Sequence, residues 1–479
     1  MLGTKMIQKN TFINNFVNEI KAENAAIFVG AGLSIPAGIV DWRNLVRPLA
    51  EELKLDVNRE HDLIAIAQYH CNQNGCNRGH INQRIIDEMS NKGNITINHQ
   101  ILARLPIKTF WTTNYDKLLE RSFREANKIV DVKHTVKQLA NTVSARDVVL
   151  YKMHGDVDTP DDAVLTKDDY ESYHLTMTPF VNALSGDLIS KTFLFIGFSF
   201  QDPNLDYILS RVRLALRGSQ RRHYCIMKEA TELDFEKHED YEYYKIKQSY
   251  MIEDLKRFNI QTILIRNYEE ITEILKRVET QLKQKSIFIS SAISDYSRYS
   301  KEVVEAFLQQ LSSRLIVEGY SIVTGYGLGV GNAIIQGALN EIYMTGKGHK
   351  EQLEIKPFPQ IETVDRKSLW TLHRKNMISN CGAAIFLFGN KDNGKGTIIN
   401  SLGMREEFNI AQQNGAYLLP VGETDYMAKE LYDETIMFYD RYNSNYNSKA
   451  KEYFEHLSLP SNDLSKTVSK IMTVLNSLK

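Results

Sequence analysis

Net charge is almost missing from this chain: 58 lysines and arginines stand against 59 aspartates and glutamates, a formal charge of −1. That balance gives no electrostatic reason to expect DNA, RNA or an anionic membrane as a partner. Long apolar runs are missing too. The longest strand-like run, TFLFIGFSF (192–200), is about half the ~18 residues of a membrane helix, and MLGTKMIQKNTFINNF at the N-terminus has no signal-peptide core. Cysteine is scarce. Cys71, Cys76, Cys225 and Cys381 are too few and too scattered for a disulfide framework, and no two of them form a Cys-x-x-Cys pair. The expectation is a soluble, cytoplasmic protein. What is present is an ordinary globular composition, 43% hydrophobic and 24% charged, in 479 residues, enough for two or three domains with proper cores.

Apolar runs alternate with amphipathic helical stretches from about residue 12 to 283. Strands are expected over 25–29, 107–111, 147–153, 192–198, 222–227 and 260–265, the pattern of a parallel α/β sheet. EEITEILKRVETQLKQK (269–285) spaces its apolar residues helically and ends in lysines, as a closing helix would. At SIFISSAIS (286–294) the pattern restarts, with strands expected at 320–324, 383–388 and 417–421. The expected fold is α/β: a Rossmann-type parallel-sheet domain over 1–285 and a second Rossmann-like α/β domain over 286–479. No Pro- or Gly-rich linker separates them, so direct packing is expected.

The stretch AAIFVGAGLSIPAG (25–38) starts as a strand running into a phosphate turn, Gly30-Ala31-Gly32. A dinucleotide-binding turn needs a further small residue three places on, and an acidic ribose ligand about 20 residues downstream. Ile35 holds the first place, followed by Pro36 and Gly38, and Glu51 or Glu52 would supply the second from inside a helical pattern. The loop is not built for redox use of a nicotinamide cofactor.

Continued to residue 43, GAGLSIPAGIVDWR resembles the sirtuin signature Gly-Ala-Gly-x-Ser followed by Gly-Ile-Pro-Asp-Phe-Arg. Gly30, Ala31, Gly32, Ser34, Gly38, Ile39, Asp41 and Arg43 match, with Val40 and Trp42 in place of proline and phenylalanine. Glycines let backbone N–H groups approach a pyrophosphate, and Ser34 and Arg43 can add a hydroxyl and a cation. FWTTNYDKLLE (110–120) sets Thr112, Thr113, Asn114 and Asp116 between a strand and a helix, similar to the sirtuin Thr-Gln-Asn-x-Asp. Thr113 and Asp116 also have capping-box spacing, whereas Asn114 has no such job. VVLYKMHGD (148–156) ends with His154-Gly155, similar to the sirtuin catalytic His-Gly, beyond the carboxyl end of a strand where α/β active sites sit. FIGFSFQDPNLDYIL (195–209) supplies Gly197 and Ser199, like the sirtuin Gly-Thr-Ser, with Asp202 and Asn204 opening the next helix.

The sirtuin resemblance implies NAD+ as a substrate that is cut. Asn114 would orient water and the nicotinamide ribose, and His154 would act as base. Gly30, Ala31, Gly32, Ser34, Asp41, Trp42, Arg43, Thr113, Asp116, Gly197, Ser199 and Asn204 would hold the dinucleotide. Sirtuin deacylases carry a four-cysteine zinc ribbon after the catalytic histidine; only Cys225 and Cys381 follow His154 here, so no metal is expected and water becomes the expected acceptor. A zinc-free deacylase and a nucleotide-binding regulator without catalysis stay open as alternatives.

The second domain has nucleotide-site features of its own. IFISSAIS (287–294) is a strand ending at Ser290-Ser291, and YSIVTGYGLGVGNAIIQGAL (320–339) runs from strand through Gly325, Gly327, Leu328, Gly329 and Gly331 into a helix, an anion cradle. LHRKNMISNCGAAIFLFGNKDNGKGT (372–397) resembles the Arg-Lys…Met segment, strand and glycine loop of the LOG phosphoribohydrolases. Arg374, Lys375 and Met377 match, but Gly389-Asn390-Lys391 replaces Pro-Gly-Gly and the acid is displaced to Glu406 and Glu407. That departure implies a binding-only SLOG domain, with Ser290, Ser291, Gly325, Gly327, Leu328, Gly329, Arg374, Lys391 and Glu407 as ligand contacts. A sirtuin-like domain followed by a SLOG domain resembles the effectors of the bacterial Thoeris anti-phage system. The resemblance implies a homo-oligomeric, tetrameric NAD+ hydrolase, activated when its C-terminal domain binds a cyclic ADP-ribose isomer made by a TIR-domain partner, and acting by NAD+ depletion.

Overall fold

The computed structural model describes residues 7–90, 93–359, 365–443, 448–458 and 463–478. It divides into two compact units, Met1–Glu279 and Thr280–Lys479, both α/β.

In the first unit seven strands form one parallel sheet: β1 (Ala25–Val29), β2 (Thr109–Thr112), β3 (Val130–Lys133), β4 (Val148–Lys152), β5 (Thr192–Ile196), β6 (His223–Lys228) and β7 (Ile260–Ile265). They lie in the order β3-β4-β2-β1-β5-β6-β7. Every residue of β1 and β5 is buried, as expected for central strands covered on both faces, which is why AAIFV and TFLFI read as unbroken apolar runs. Phe28, Phe193 and Phe195 anchor one core layer, with Phe28 and Phe195 stacked at 5.3 Å. Between β1 and β2 the chain inserts helices Trp42–Glu52, Leu63–Gln73, Gly79–Met89 and Ile97–Arg104. The first three pack around Val46, Leu49, Ile66, Ile81 and Ile85. Strand β3 was not among the expected strands. Its sequence, VDVK, buries Asp131 and Lys133 as an ion pair at 2.7 Å, so it lacks the apolar signature of its neighbours.

From β1 the chain moves to one side, to β2, β3 and β4, and then returns past β1 to β5 on the other side. Such a reversal opens a crevice at the carboxyl ends of the strands, here between β1 and β5.

The second unit repeats the principle. Strands β8 (Ser286–Ala292), β9 (Ser321–Thr324), β10 (Leu353–Ile355), β11 (Ala383–Phe388) and β14 (Tyr417–Pro420) form a parallel sheet in the order β10-β9-β8-β11-β14. Alternation splits its core: Ile287 and Ile289 of β8 join one cluster with Leu308 and Val468, and Phe288 joins the other with Met377 and Phe408. The reversal lies between β8 and β11. Residues 389–397, expected as a glycine loop, instead help make an antiparallel hairpin of β12 (Asn390–Asp392) and β13 (Ile398–Asn400). Among the described residues no helix is long and apolar enough to cross a membrane.

Candidate functional sites at the two sheet reversals

Because β1, β2, β4 and β5 run parallel, the residues that follow them meet along one edge of the sheet. The register pairs Thr112 with Lys152, so Asn114 and His154, each two residues further on, follow the carboxyl ends of adjacent strands. The loops after β1 and β5 touch through bare backbone. Gly32 N donates to Gly197 O at 2.9 Å, and a Cβ at Gly30 would lie 2.4 Å from Gly197 O. Gly197 has φ +65°, a conformation suited to glycine. Gly30 N and Gly32 N are both taken by carbonyls of the β5 segment, Ile196 O and Gly197 O. These glycines therefore serve loop-to-loop contact, a role that the reading of their N–H groups as a phosphate cradle did not include. No Rossmann helix follows; the chain makes two short 3-10 turns, Ala31–Leu33 and Ile35–Ala37.

A buried hydrogen-bond chain then orders the site. Ser34 Oγ donates to Asp116 Oδ2 at 2.8 Å, and Asn114 Nδ2 donates to Ser34 Oγ at 3.1 Å and to Gly30 O at 3.2 Å. Asp116 Oδ1 accepts from Leu118 N at 2.9 Å. Asp116 thus closes a local turn and holds Ser34. The capping box suggested by the Thr113–Asp116 spacing is not formed, since the helix Leu118–Glu125 starts after Lys117 without a side-chain cap.

His154 is buried, with Tyr170 and Tyr173 edge-on at 5.5 and 6.2 Å. Burial pushes its pKa below the ordinary imidazole value, opposed by Asp202 and Asp169, so it is neutral near pH 7. Its Nε2 lies 3.2 Å from Asp202 Oδ2 but outside hydrogen-bond geometry, and has no hydrogen-bond partner among the described residues. Asn204 Nδ2, buried in the first turn of the helix Pro203–Leu216, is likewise unpartnered there. Asp202 caps that helix through Leu205 N at 2.9 Å.

Other expected contacts have local partners. Asp41 caps the helix Trp42–Glu52, accepting from Asn44 N at 2.8 Å. Trp42 packs partly buried against the helical cluster. Arg43, expected on a pyrophosphate, donates through Nη1 to Val57 O, and to Glu60 O at 3.3 Å. Ala31 and Ser199 are exposed and Thr113 is half-buried at the same edge.

Sequence reasoning missed Lys152. Its ammonium, fully buried at the end of β4, donates to Tyr115 O (3.0 Å), Asp116 O (2.6 Å), Glu120 Oε1 (3.0 Å) and Asp156 Oδ2 (2.6 Å). Burial raises the Glu120 pKa. Burial also pushes Asp156 up, but Lys152 and Lys117 outweigh it and hold that carboxyl below its usual range. A lysine ending the apolar strand VVLYK was the one available signal.

At the second reversal, Ser290 and Arg374 meet on buried Glu407, while the loop 325–329 closes against Ser291, Ile293 and Phe358. Ser290 Oγ donates to Glu407 Oε2 at 2.6 Å, and Arg374 Nε to Glu407 Oε1 at 3.3 Å. Arg374 Nη1 donates to Glu406 Oε2 at 2.9 Å, and its guanidinium lies 4.8 Å from the Phe358 ring centroid. Burial raises the pKa of Glu407, opposed by Ser290 and Arg374. A Cβ at Gly327 would meet Ser291 O at 1.8 Å, so this loop closes on β8 only as glycine. A Cβ at Gly325 would lie 2.9 Å from Phe358, and one at Gly329 would lie 2.3 Å from Ile293 O. Ser291 Oγ is buried without a partner among the described residues, Leu328 is exposed, and Lys391 sits half-buried on β12. Buried polar atoms without partners are rare; among the described residues they occur in both crevices, at His154, Asn204 and Ser291, and also elsewhere, as at His70 and Glu423.

Comparison with known proteins matches residues 270–478 to the Sir2- and TIR-associating SLOG family and residues 108–253 to a SIR2-like domain. A protein of Bacillus cereus (strain MSX-D12) named NAD(+) hydrolase ThsA is 49% identical over 469 residues, 97% of this chain and 98% of its own. One of the same name from Acinetobacter baumannii (strain 532279) is 45% identical over 98% of both chains. A third, from Cytobacillus dafuensis, is 40% identical over 98% of this chain and 97% of its own.

Proposed function

The chain belongs to the ThsA family, and from that premise we propose that it hydrolyses NAD+ to nicotinamide and ADP-ribose in the first crevice, under control of a phosphorylated nucleotide bound in the second. The observation that carries the catalytic half is that Asn114 and His154 follow the carboxyl ends of the paired strands β2 and β4, with His154 Nε2 buried and without a hydrogen-bond partner among the described residues. The nicotinamide leaving group takes the bonding pair from ribose C1′, through an oxocarbenium-like transition state. Asn114 holds water and ribose in line with that carbon. Water adds at C1′, and its proton passes to a base; neutral His154 fits this role, or accepts from a ribose hydroxyl, a contribution of roughly 10²–10⁴-fold for such a group. Asn204 Nδ2 offers a further donor. Ser34 and Asp116 keep the Asn114 amide oriented, since Ser34 accepts from it while donating to the carboxylate.

In the second crevice Arg374 is neutralised by Glu406 and Glu407. A phosphate must compete with Glu406 for the guanidinium, so ligand binding and side-chain rearrangement are one event. The ligand we propose is a cyclic ADP-ribose isomer made by a TIR-domain partner, with phosphate on Arg374, Lys391 and the glycine loop and a sugar hydroxyl on Glu407 or Ser291. Its differential binding would supply the 1–3 kcal/mol typical of allosteric coupling. The physiological consequence is NAD+ depletion by a cytoplasmic homo-oligomer, a tetramer, in anti-phage defence.

The test is nicotinamide release from NAD+ by purified protein, with and without each cyclic ADP-ribose isomer and with and without an acyl-lysine peptide. Asn114→Ala and His154→Ala should each abolish release while circular dichroism stays unchanged, and full activity in either sinks the catalytic assignment. Release that requires acyl-peptide would favour a zinc-free deacylase. Arg374→Ala should lose both calorimetric binding of the isomer and activation by it; retention of both would remove the second crevice as the sensor.

A further inference from the structure

Outside both crevices, three helices of the first unit bring two imidazoles and a carboxylate together. Glu52 ends the helix Trp42–Glu52, His70 lies in the last turn of Leu63–Gln73, and His80 in the first turn of Gly79–Met89. One ligating atom from each lies within 4.8 Å of the other two. His70 Nε2 is 2.6 Å and His80 Nδ1 3.8 Å from the same oxygen, Glu52 Oε2. Donors in a tetrahedral shell with bonds of about 2.0–2.1 Å stand about 3.4 Å apart, and these two spacings fall on either side of that value.

We propose that Glu52, His70 and His80 form a binding site for a borderline divalent transition metal, Zn2+ being the representative ion. Two imidazoles and one carboxylate suit zinc and its neighbours, whereas Ca2+ and Mg2+ favour all-oxygen shells. Three protein ligands leave a position for water. His70 is wholly buried and fixes the centre; Glu52 and His80 are exposed at their side chains and have room to close on it. Entry of the metal displaces the His70···Glu52 hydrogen bond. The His70 proton moves to Nδ1, which has no partner among the described residues holding it in the other tautomer. The metal would tie the far end of the helix that begins at Asp41–Arg43 to two neighbouring helices.

The site is tested on tag-free, full-length protein stripped with a chelator and then dialysed, by calorimetric titration with Zn2+, a parallel titration with Mg2+, and thermal unfolding with and without Zn2+. The expected result is one Zn2+ per chain, a raised melting temperature with Zn2+, and no Mg2+ binding. His80→Ala should weaken Zn2+ binding at least tenfold. His80 is 70% exposed at its side chain, so this variant leaves the core untouched. Glu52→Gln, close in shape, should weaken it similarly. Substoichiometric binding, or binding unchanged in both variants, means adventitious surface coordination and overturns the proposal.

Discussion

Replacing Lys152 with methionine removes a charge on which four oxygens converge within 3.0 Å. Methionine fills similar volume, so the loss is electrostatic rather than steric. Taking one partner from a buried ion pair costs about 3–5 kcal/mol, because the carboxylate left behind is neither hydrated nor paired. The cost here falls at the lower end of that range. Asp156 keeps Lys117 at 2.6 Å, and the group truly abandoned is Glu120, 4.0 Å from Lys117. At about 2–4 °C per kcal/mol for a unit of this size, the first unit should melt roughly 6–12 °C lower. The assay is thermal unfolding of the full chain, with a urea titration for free energy. Adding Glu120→Gln to Lys152→Met should recover more than half of the loss. Turnover of NAD+ should stay low even in that double variant, because Tyr115 O and Asp116 O, which flank the turn after Asn114, have lost the ammonium that held them. A loss below about 1 kcal/mol, or no recovery on neutralising Glu120, would refute the reasoning that this network is a buried charge cluster.

Gly30→Ala places a methyl 2.4 Å from Gly197 O, so the β1 and β5 loops must part; NAD+ turnover should fall more than tenfold, and unchanged turnover would show that this contact is dispensable. Arg43→Lys keeps the charge but cannot reach both Val57 O and Glu60 O; KM for NAD+ should rise more than kcat falls, and an unchanged KM would confine Arg43 to bracing the 57–60 loop. Buried His223 accepts from Phe193 N at 3.2 Å, and burial lowers its pKa from 6.5 to about 4. A depressed histidine pKa gives stability that is present above the unfolded value and is lost as pH falls toward the folded one. This one group should therefore cost about 2 kcal/mol between pH 7.5 and pH 5. Urea titrations of wild type and His223→Gln at both pH values measure it, and an equal acid loss in both would assign that loss to other groups.

Much of the fold was legible because its determinants are contiguous. Central strands such as AAIFV and AAIFLF are buried on both faces and declare themselves as apolar runs, and β1, β7 and β11 have the bounds expected from sequence. Strand β3 was not legible, since its two buried positions, Asp131 and Lys133 on one face, are charged and pair with each other, so the strand has no apolar run to show. The hairpin β12–β13 was hidden for another reason. Glycines at 389, 394 and 396 all adopt positive φ, and sequence does not say whether such residues line a ligand loop or turn a hairpin.

The sequence by itself determined the two α/β units and the short motifs that end their strands, because strand formation and tight turns depend on neighbours along the chain. Only the tertiary structure decided what each motif residue touches. Pairing of β2 with β4 brought the segments carrying Asn114 and His154 to one end of the sheet, and the return of the chain to β5 pressed Gly197 against Gly30. Burial in that edge left His154 neutral; in the same unit Arg43 turned toward carbonyls of its own segment, and in the second unit Arg374 gained two carboxylates before any ligand arrives. Dielectric surroundings, charge partners and unpaired polar atoms arise from residues far apart in the chain, so they appear only once the sheet orders them.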